Sequence, residues 1–167
     1  MIKLMVDQRL EKLAALIKKW DYDQLSNSYI KIRKNISKTE DENEIKKGEE
    51  RVNLIRDEWE SRKTNEVLEW YPLLSKGLFA VMGYKVGIDG LKPETRRSIL
   101  EDIIEGPIPL VGNPSYMAEW GEDNSEKRIR KVINNLYAFS NNAAHATHHQ
   151  AIQDWKEDLQ WVSKNYQ

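Results

Sequence analysis

All three histidines of the chain fall within five residues, in the run Ala144-His145-Ala146-Thr147-His148-His149. Imidazole ligates metals and moves protons near neutral pH, so acid–base or metal chemistry would centre here. His145 and His149 are four apart. On one helix their rings would share a face, as two helical zinc ligands do, with Glu119, Glu122 or Asp123 supplying the third ligand. A second spacing argues differently. Ile152, Trp155, Leu159 and Val162 form an apolar stripe that extends backwards to positions 148 and 145. In that register His145 and His148 lie on or beside a packing face, as hydrogen-bonded neutral rings. His149 is then the member left to face a ligand. Asn141-Asn142 just upstream is a candidate helix break, which would spoil the register. The expectation is a packed junction with no cofactor and no resident metal, His145 and His149 being the candidate ligands if there is one.

Basic clusters offer a different chemistry. Lys127, Arg128, Arg130 and Lys131 crowd one segment, Lys92, Arg96 and Arg97 another, and Lys31, Arg33 and Lys34 a third. Such clusters hold phosphates, and Trp120 and Tyr84 are suited to stacking on bases. Arg96, Arg97, Trp120, Lys127, Arg128, Arg130 and Lys131 are therefore the binding candidates. A hydrolase would pair His145 or His149 with Arg128 or Arg97 as phosphate clamp. The competing arrangement is a solvated face paired to Glu94, Glu101 and Glu126. With 26 basic and 27 acidic residues the net charge is −1, so no whole-molecule attraction to nucleic acid or membrane is expected. The glycines at 83, 87 and 90 lack the Gly-Lys-Ser/Thr ending of a phosphate loop and follow no strand, so they read as turn glycines.

The chain has no cysteine, which excludes disulfides, thiol catalysis and cysteine-held metals. No run approaches the roughly 18 apolar residues of a membrane span, and the first residues lack a signal core. A cytoplasmic protein is expected.

The elements that must position these residues are helical. Val6, Leu10, Leu13, Ile17 and Trp20 share one helical face, and Tyr22, Leu25, Tyr29, Ile32 and Ile36 share another, with Asp21 as a cap between them. Thr39-x-x-Glu42 is a capping box that opens a third helix. That helix runs towards Pro72 with a sparse seam of Ile45, Val52, Ile55, Trp59, Val67 and Trp70, over about 32 residues. Its polar faces and thin seam predict packing on another helix or another copy, with Trp59 and Trp70 at the interface. Leu73, Leu74, Leu78, Phe79, Val81 and Met82 form a dense apolar helix. Pro93 opens the next, which carries Ile99, Leu100, Ile103 and Ile104 and stops at Gly106-Pro107. A loop follows, with a helical turn at 116–120 closed by Gly121. Asp123-x-x-Glu126 opens the helix of Ile129, Val132, Ile133, Leu136 and Phe139, and the 152–162 stripe closes the chain. The fold class is all-α. A helical arm over 1–70, a hairpin plus one long helix, precedes a compact multi-helix module over 71–167.

Gly83-Tyr84-Lys85-Val86-Gly87, Gly90-Leu91, Arg96-Arg97-Ser98-Ile99-Leu100, Glu119-Trp120-Gly121 with Ser125 and Arg128, and the closing run from Ala151 to Trp161 form one pattern. By it, residues 71 to 166 resemble a module of uncharacterised bacterial proteins. The resemblance implies an accessory protein, from a mobile-element or phage-defence setting, and assigns no catalytic residue. The helical HEPN ribonucleases resemble the chain only in being all-α. Their arginine stands four to six residues before a helical histidine, whereas here Asn141 and Asn142 precede His145 and the nearest upstream arginine is Arg130. The cation that would stabilise a phosphorane-like transition state is missing. The expectation is a non-enzymatic interaction protein with a protein partner or a second copy on the long helix. The alternatives are a degenerate HEPN-like hydrolase and a nucleic-acid-binding module.

Overall fold

The computed structural model describes residues 2–63, 70–72 and 77–167, with side chains from residue 8 onwards. The fold is all-α. Its helices are α1 (Ile2–Ile17), α2 (Tyr22–Lys38), α3 (Glu42–Lys63), α4 (Leu78–Val81), α5 (Pro93–Glu105), α6 (Pro114–Trp120), α7 (Glu126–Asn141) and α8 (His149–Tyr166). A 3₁₀ turn, Ala143–His145, joins α7 to α8. Among the described residues the sole β pairing is a bridge between Tyr71 and Val111. No helix of the described residues is long and apolar enough to cross a membrane.

Local chemistry sets the helix ends. Asp21 caps α2 in a reciprocal box with Gln24, its carboxylate accepting from the Gln24 N–H at 2.7 Å. Two other starts differ from expectation. The Thr39–Glu42 box does not form; Asp41 accepts from Asn43 N–H instead, and Thr39 Oγ1 accepts from Asp41 N–H. Ser125, not Asp123, caps α7 by accepting from Arg128 N–H at 3.1 Å. A serine hydroxyl next to the first helical residue closes that ring with less chain than Asp123 would need.

The third helix occupies 22 residues rather than about 32. Val67 of its expected seam, with Leu73 and Leu74 of the next helix, lies outside the described residues, as does the side chain of Val6. Trp70 is non-helical and half-buried. Trp59 is 3% exposed, packs on Tyr29 with ring centroids 5.3 Å apart, and donates from Nε1 to Tyr71 Oη. The seam on α3 is thus covered by α1 and α2 of the same chain. Gly48 makes this close: a Cβ there would meet Ile36 at 2.8 Å.

The hydrophobic core is continuous from Ile17, Leu25 and Tyr29 through Ile99, Leu100 and Ile103 to Val132, Leu136 and Val162. It crosses the junction expected at residue 70, because α2 packs on α5 as well as on α3. α7 and α8 form the most extensive helix pair. Gly83 follows α4 at φ +74°, and a Cβ on it would meet Ile30 of α2 at 2.6 Å. Its freedom from side-chain sterics lets the 82–92 connection turn directly under the arm.

Candidate functional site

The 145–149 run does not form one helical face. α7 ends at Asn141, and Asn142 turns the chain by accepting from Ala144 N–H at 2.9 Å. α8 starts only at His149, so the four-residue spacing of His145 and His149 is not read out on a helix. The short side chain of Asn142 bonds its own backbone, and this competes with helix continuation. Among the described residues no three His, Asp or Glu side chains come together as metal ligands. His148 and His149 are exposed. His145 is half-buried, its ring 4.9 Å from that of Trp155, and its Nδ1 lies 3.1 Å from Phe139 O. A carbonyl only accepts, so Nδ1 carries the proton and Nε2 is left with the free lone pair.

The basic candidates divide into inward and outward sets. Arg128 is 2% exposed. It donates to the carbonyls of Trp120 (3.0 Å), Ile103 (2.7 Å) and Gly121 (2.7 Å), and to Asp123 (3.2 Å). It therefore satisfies the carbonyl-rich ends of α5 and α6 at once. Burial pulls its guanidinium below the usual range, with Asp123 opposing. Arg96, also 2% exposed, donates through Nε to Asp158 at 2.7 Å and through Nη1 to Leu91 O at 2.8 Å. Burial acts to lower its pKa, but the Asp158 carboxylate outweighs this and holds it above the usual range. Arg97 is half-buried against Trp161, 5.9 Å from the ring centre. Lys127 and Arg130 are exposed, Arg130 pairing with Glu126, and Lys131 pairs with Glu119 at 2.7 Å while lying over the Trp120 ring.

Two buried charge clusters carry this arrangement, and sequence reasoning located neither. Asp102 of α5 accepts from Tyr29 Oη (2.7 Å) and from Arg33 Nη2 (2.5 Å), and pairs with Arg56 Nη1 (3.1 Å). Asp158, fully buried, accepts from Arg96 and from Tyr84 Oη at 2.6 Å; its neighbour Asp154 accepts from Gly87 N–H at 2.9 Å. The buried residues of α8 are Ala151, Asp154, Asp158 and Val162, with Ile152, Trp155 and Leu159 flanking them. The inward face is thus turned from the apolar stripe towards the two aspartates. The available signal was the position of Asp158, four residues before Val162.

Desolvation raises the Tyr29, Tyr71 and Tyr84 hydroxyls, and the carboxylates that Tyr29 and Tyr84 donate to raise those two further. The unfolded chain ionises its tyrosines from about pH 10, where the folded chain keeps these three neutral. Their contribution is whole below that pH. Above it, stability falls by up to about 1.4 kcal/mol per pH unit for each tyrosine. Urea midpoints measured from neutrality to pH 11 are expected to stay level on this account until about pH 10 and then drop steeply. Tyr84→Phe should flatten part of the drop.

One concave region is aromatic. A half-open cavity of about 550 Å³ is walled by α4, the 84–86 connection, α6, α7, the 3₁₀ turn and α8. Tyr116 and Trp120 face it one turn apart on α6, and Asn135 and Phe139 one turn apart on α7. Its rings form a chain: Tyr116 to Trp120 (6.3 Å), Trp120 to Phe79 (6.0 Å), Phe79 to Phe139 (5.7 Å), Phe139 to Trp155 (5.6 Å), then Trp155 to His145. Tyr84 joins it beside Phe79 at 5.2 Å. Of the sequence candidates, the cavity gathers His145, Trp120 and Tyr84 but not His149, Arg96, Arg97, Arg128 or the other 127–131 cations. Phe79, Lys85, Asn135 and Phe139 line it without having been singled out. Asn135 and Phe139 carry one signal, their spacing of four on α7; Phe79 and Lys85 carry none.

No family model, curated protein or solved structure matches the chain.

Proposed function

We propose that the chain is a non-enzymatic accessory protein of the bacterial cytoplasm that binds a partner molecule rather than transforming one. The supporting observation is where the arginines are spent. Arg128, the clamp a histidine-based hydrolase would need, has its donors engaged by three carbonyls and Asp123 inside the protein. His145, in turn, is bound to a backbone carbonyl and packed at a tilt against Trp155, with no cation of the 96–97 or 127–131 clusters lining the cavity beside it. The cation that does line the cavity, Lys85, is exposed, and a single solvated ammonium is a weak clamp for a phosphorane. Purified full chain incubated with single- and double-stranded RNA and DNA, with and without magnesium, manganese or zinc, is expected to release no fragments. Cleavage that disappears in His145→Ala, with thermal unfolding unchanged, would establish the hydrolase instead.

A further inference from the structure

We propose that the aromatic cavity is a binding site for a nucleobase bearing a phosphate, whether presented by a free nucleotide or by an unpaired residue of a single strand. This rests on the binding function above and names what is bound. A volume of about 550 Å³ lies in the range of small-ligand sites and admits a base with its sugar. Its walls are the faces and edges of linked rings, the surface on which a flat heteroaromatic ring stacks.

The polar groups among the walls are mostly donors. Trp120, 1% exposed, is sealed in the wall, and its indole Nε1 has no acceptor among the described residues, so it offers the cavity no donor. Tyr116 Oη accepts from Leu78 N–H at 3.0 Å, which leaves its own proton to give. The Asn135 amide can donate and accept, and His145 Nε2 offers a lone pair. Lys85 is exposed at the rim and, among the described residues, is the one fully charged side chain of the lining, with no carboxylate beside it. Ring nitrogens, exocyclic carbonyls and phosphate oxygens are acceptors, so a nucleotide complements this set. A cationic ligand would meet Lys85 without a counter-charge. An aliphatic side chain would leave the donors unpaired, at a cost in affinity.

The test titrates full-length protein with AMP, adenosine, inorganic phosphate and a short oligodeoxyadenylate, by tryptophan fluorescence and calorimetry. AMP is expected to bind and to quench Trp155, the partly exposed tryptophan of the lining. Adenosine is expected to bind about tenfold more weakly for want of the Lys85 contact, and phosphate alone should not compete. Lys85→Glu should weaken AMP by about tenfold or more with unfolding unchanged, since the residue is exposed. Trp155→Leu should weaken adenosine and AMP alike. Oligodeoxyadenylate binding more tightly than AMP assigns the site to single strands, and the reverse order assigns it to free nucleotide. Absence of saturation by AMP and oligonucleotide at millimolar concentration overturns the site. So does AMP affinity unchanged in Lys85→Glu, or saturation by N-acetyl-Trp-Glu-amide without saturation by AMP, which would give the cavity to a protein partner. Release of phosphate from bound AMP would leave the site standing and overturn the binding-only function.

Discussion

Asp102→Ala is expected to lower the unfolding free energy by about 3–5 kcal/mol, the cost of leaving buried cations without their carboxylate. The residue is 7% exposed and sits where three elements meet. Arg33 and Tyr29 reach it from α2, and Arg56 from α3. Its removal leaves Arg33 with one carboxylate, the part-exposed Glu49, and leaves the Tyr29 hydroxyl without its acceptor. Urea unfolding followed by circular dichroism would read the loss as a shifted midpoint. Arg33→Met combined with Asp102→Leu should recover a substantial part, because the desolvation of both charges is removed with their attraction. A midpoint within experimental error of the parent for Asp102→Ala would mean that the cluster is solvated.

Arg128→Met is expected to cost a similar amount, about 3–5 kcal/mol, by stranding several buried acceptors at once. The carbonyls of Trp120, Gly121 and Ile103 all lose their donor, at the ends of α6 and α5. Arg128→Lys should rescue little. An ammonium is a compact point charge, whereas the guanidinium fork reaches separate carbonyls in fixed directions. If Arg128 served a phosphate at the surface instead, both variants would unfold like the parent and differ only in ligand affinity. Thermal and urea unfolding of the two variants therefore separates a staple from a clamp.

Those two residues also show how far the sequence is legible. Period-3.6 stripes locate the helices because burial of one face is what makes a short helix stable in water, and the Asp21 cap and Pro93 start are equally local. Charge is less legible. Arg33, Arg96 and Arg128 stand among lysines and arginines that are solvated, and residue type does not distinguish them. What turns them inward is a carboxylate or a helix end more than sixty residues away, or across a loop, as with Arg96 and Asp158. The histidine run misleads for a related reason. Its spacing is a helical one, but Asn142 ends the helix before the spacing can act, so only His145 reaches the cavity. The cavity itself is assembled from six segments, and no one of them carries more than two of its rings.

The cluster on Asp102 bears on inheritance as much as on stability. Residues 71–167 are not self-sufficient in charge: α5 brings a carboxylate to the core, and both cations that neutralise it come from upstream of residue 70. A chain cut before Tyr71 would hold that carboxylate facing solvent on the side of α5 that α2 covers. Any other chain that placed this segment behind a different leader would have to bring a guanidinium to the same spot or replace the aspartate. Arm and module are therefore expected to change hands together, and a substitution at 102 to require a matching one at 33 or 56.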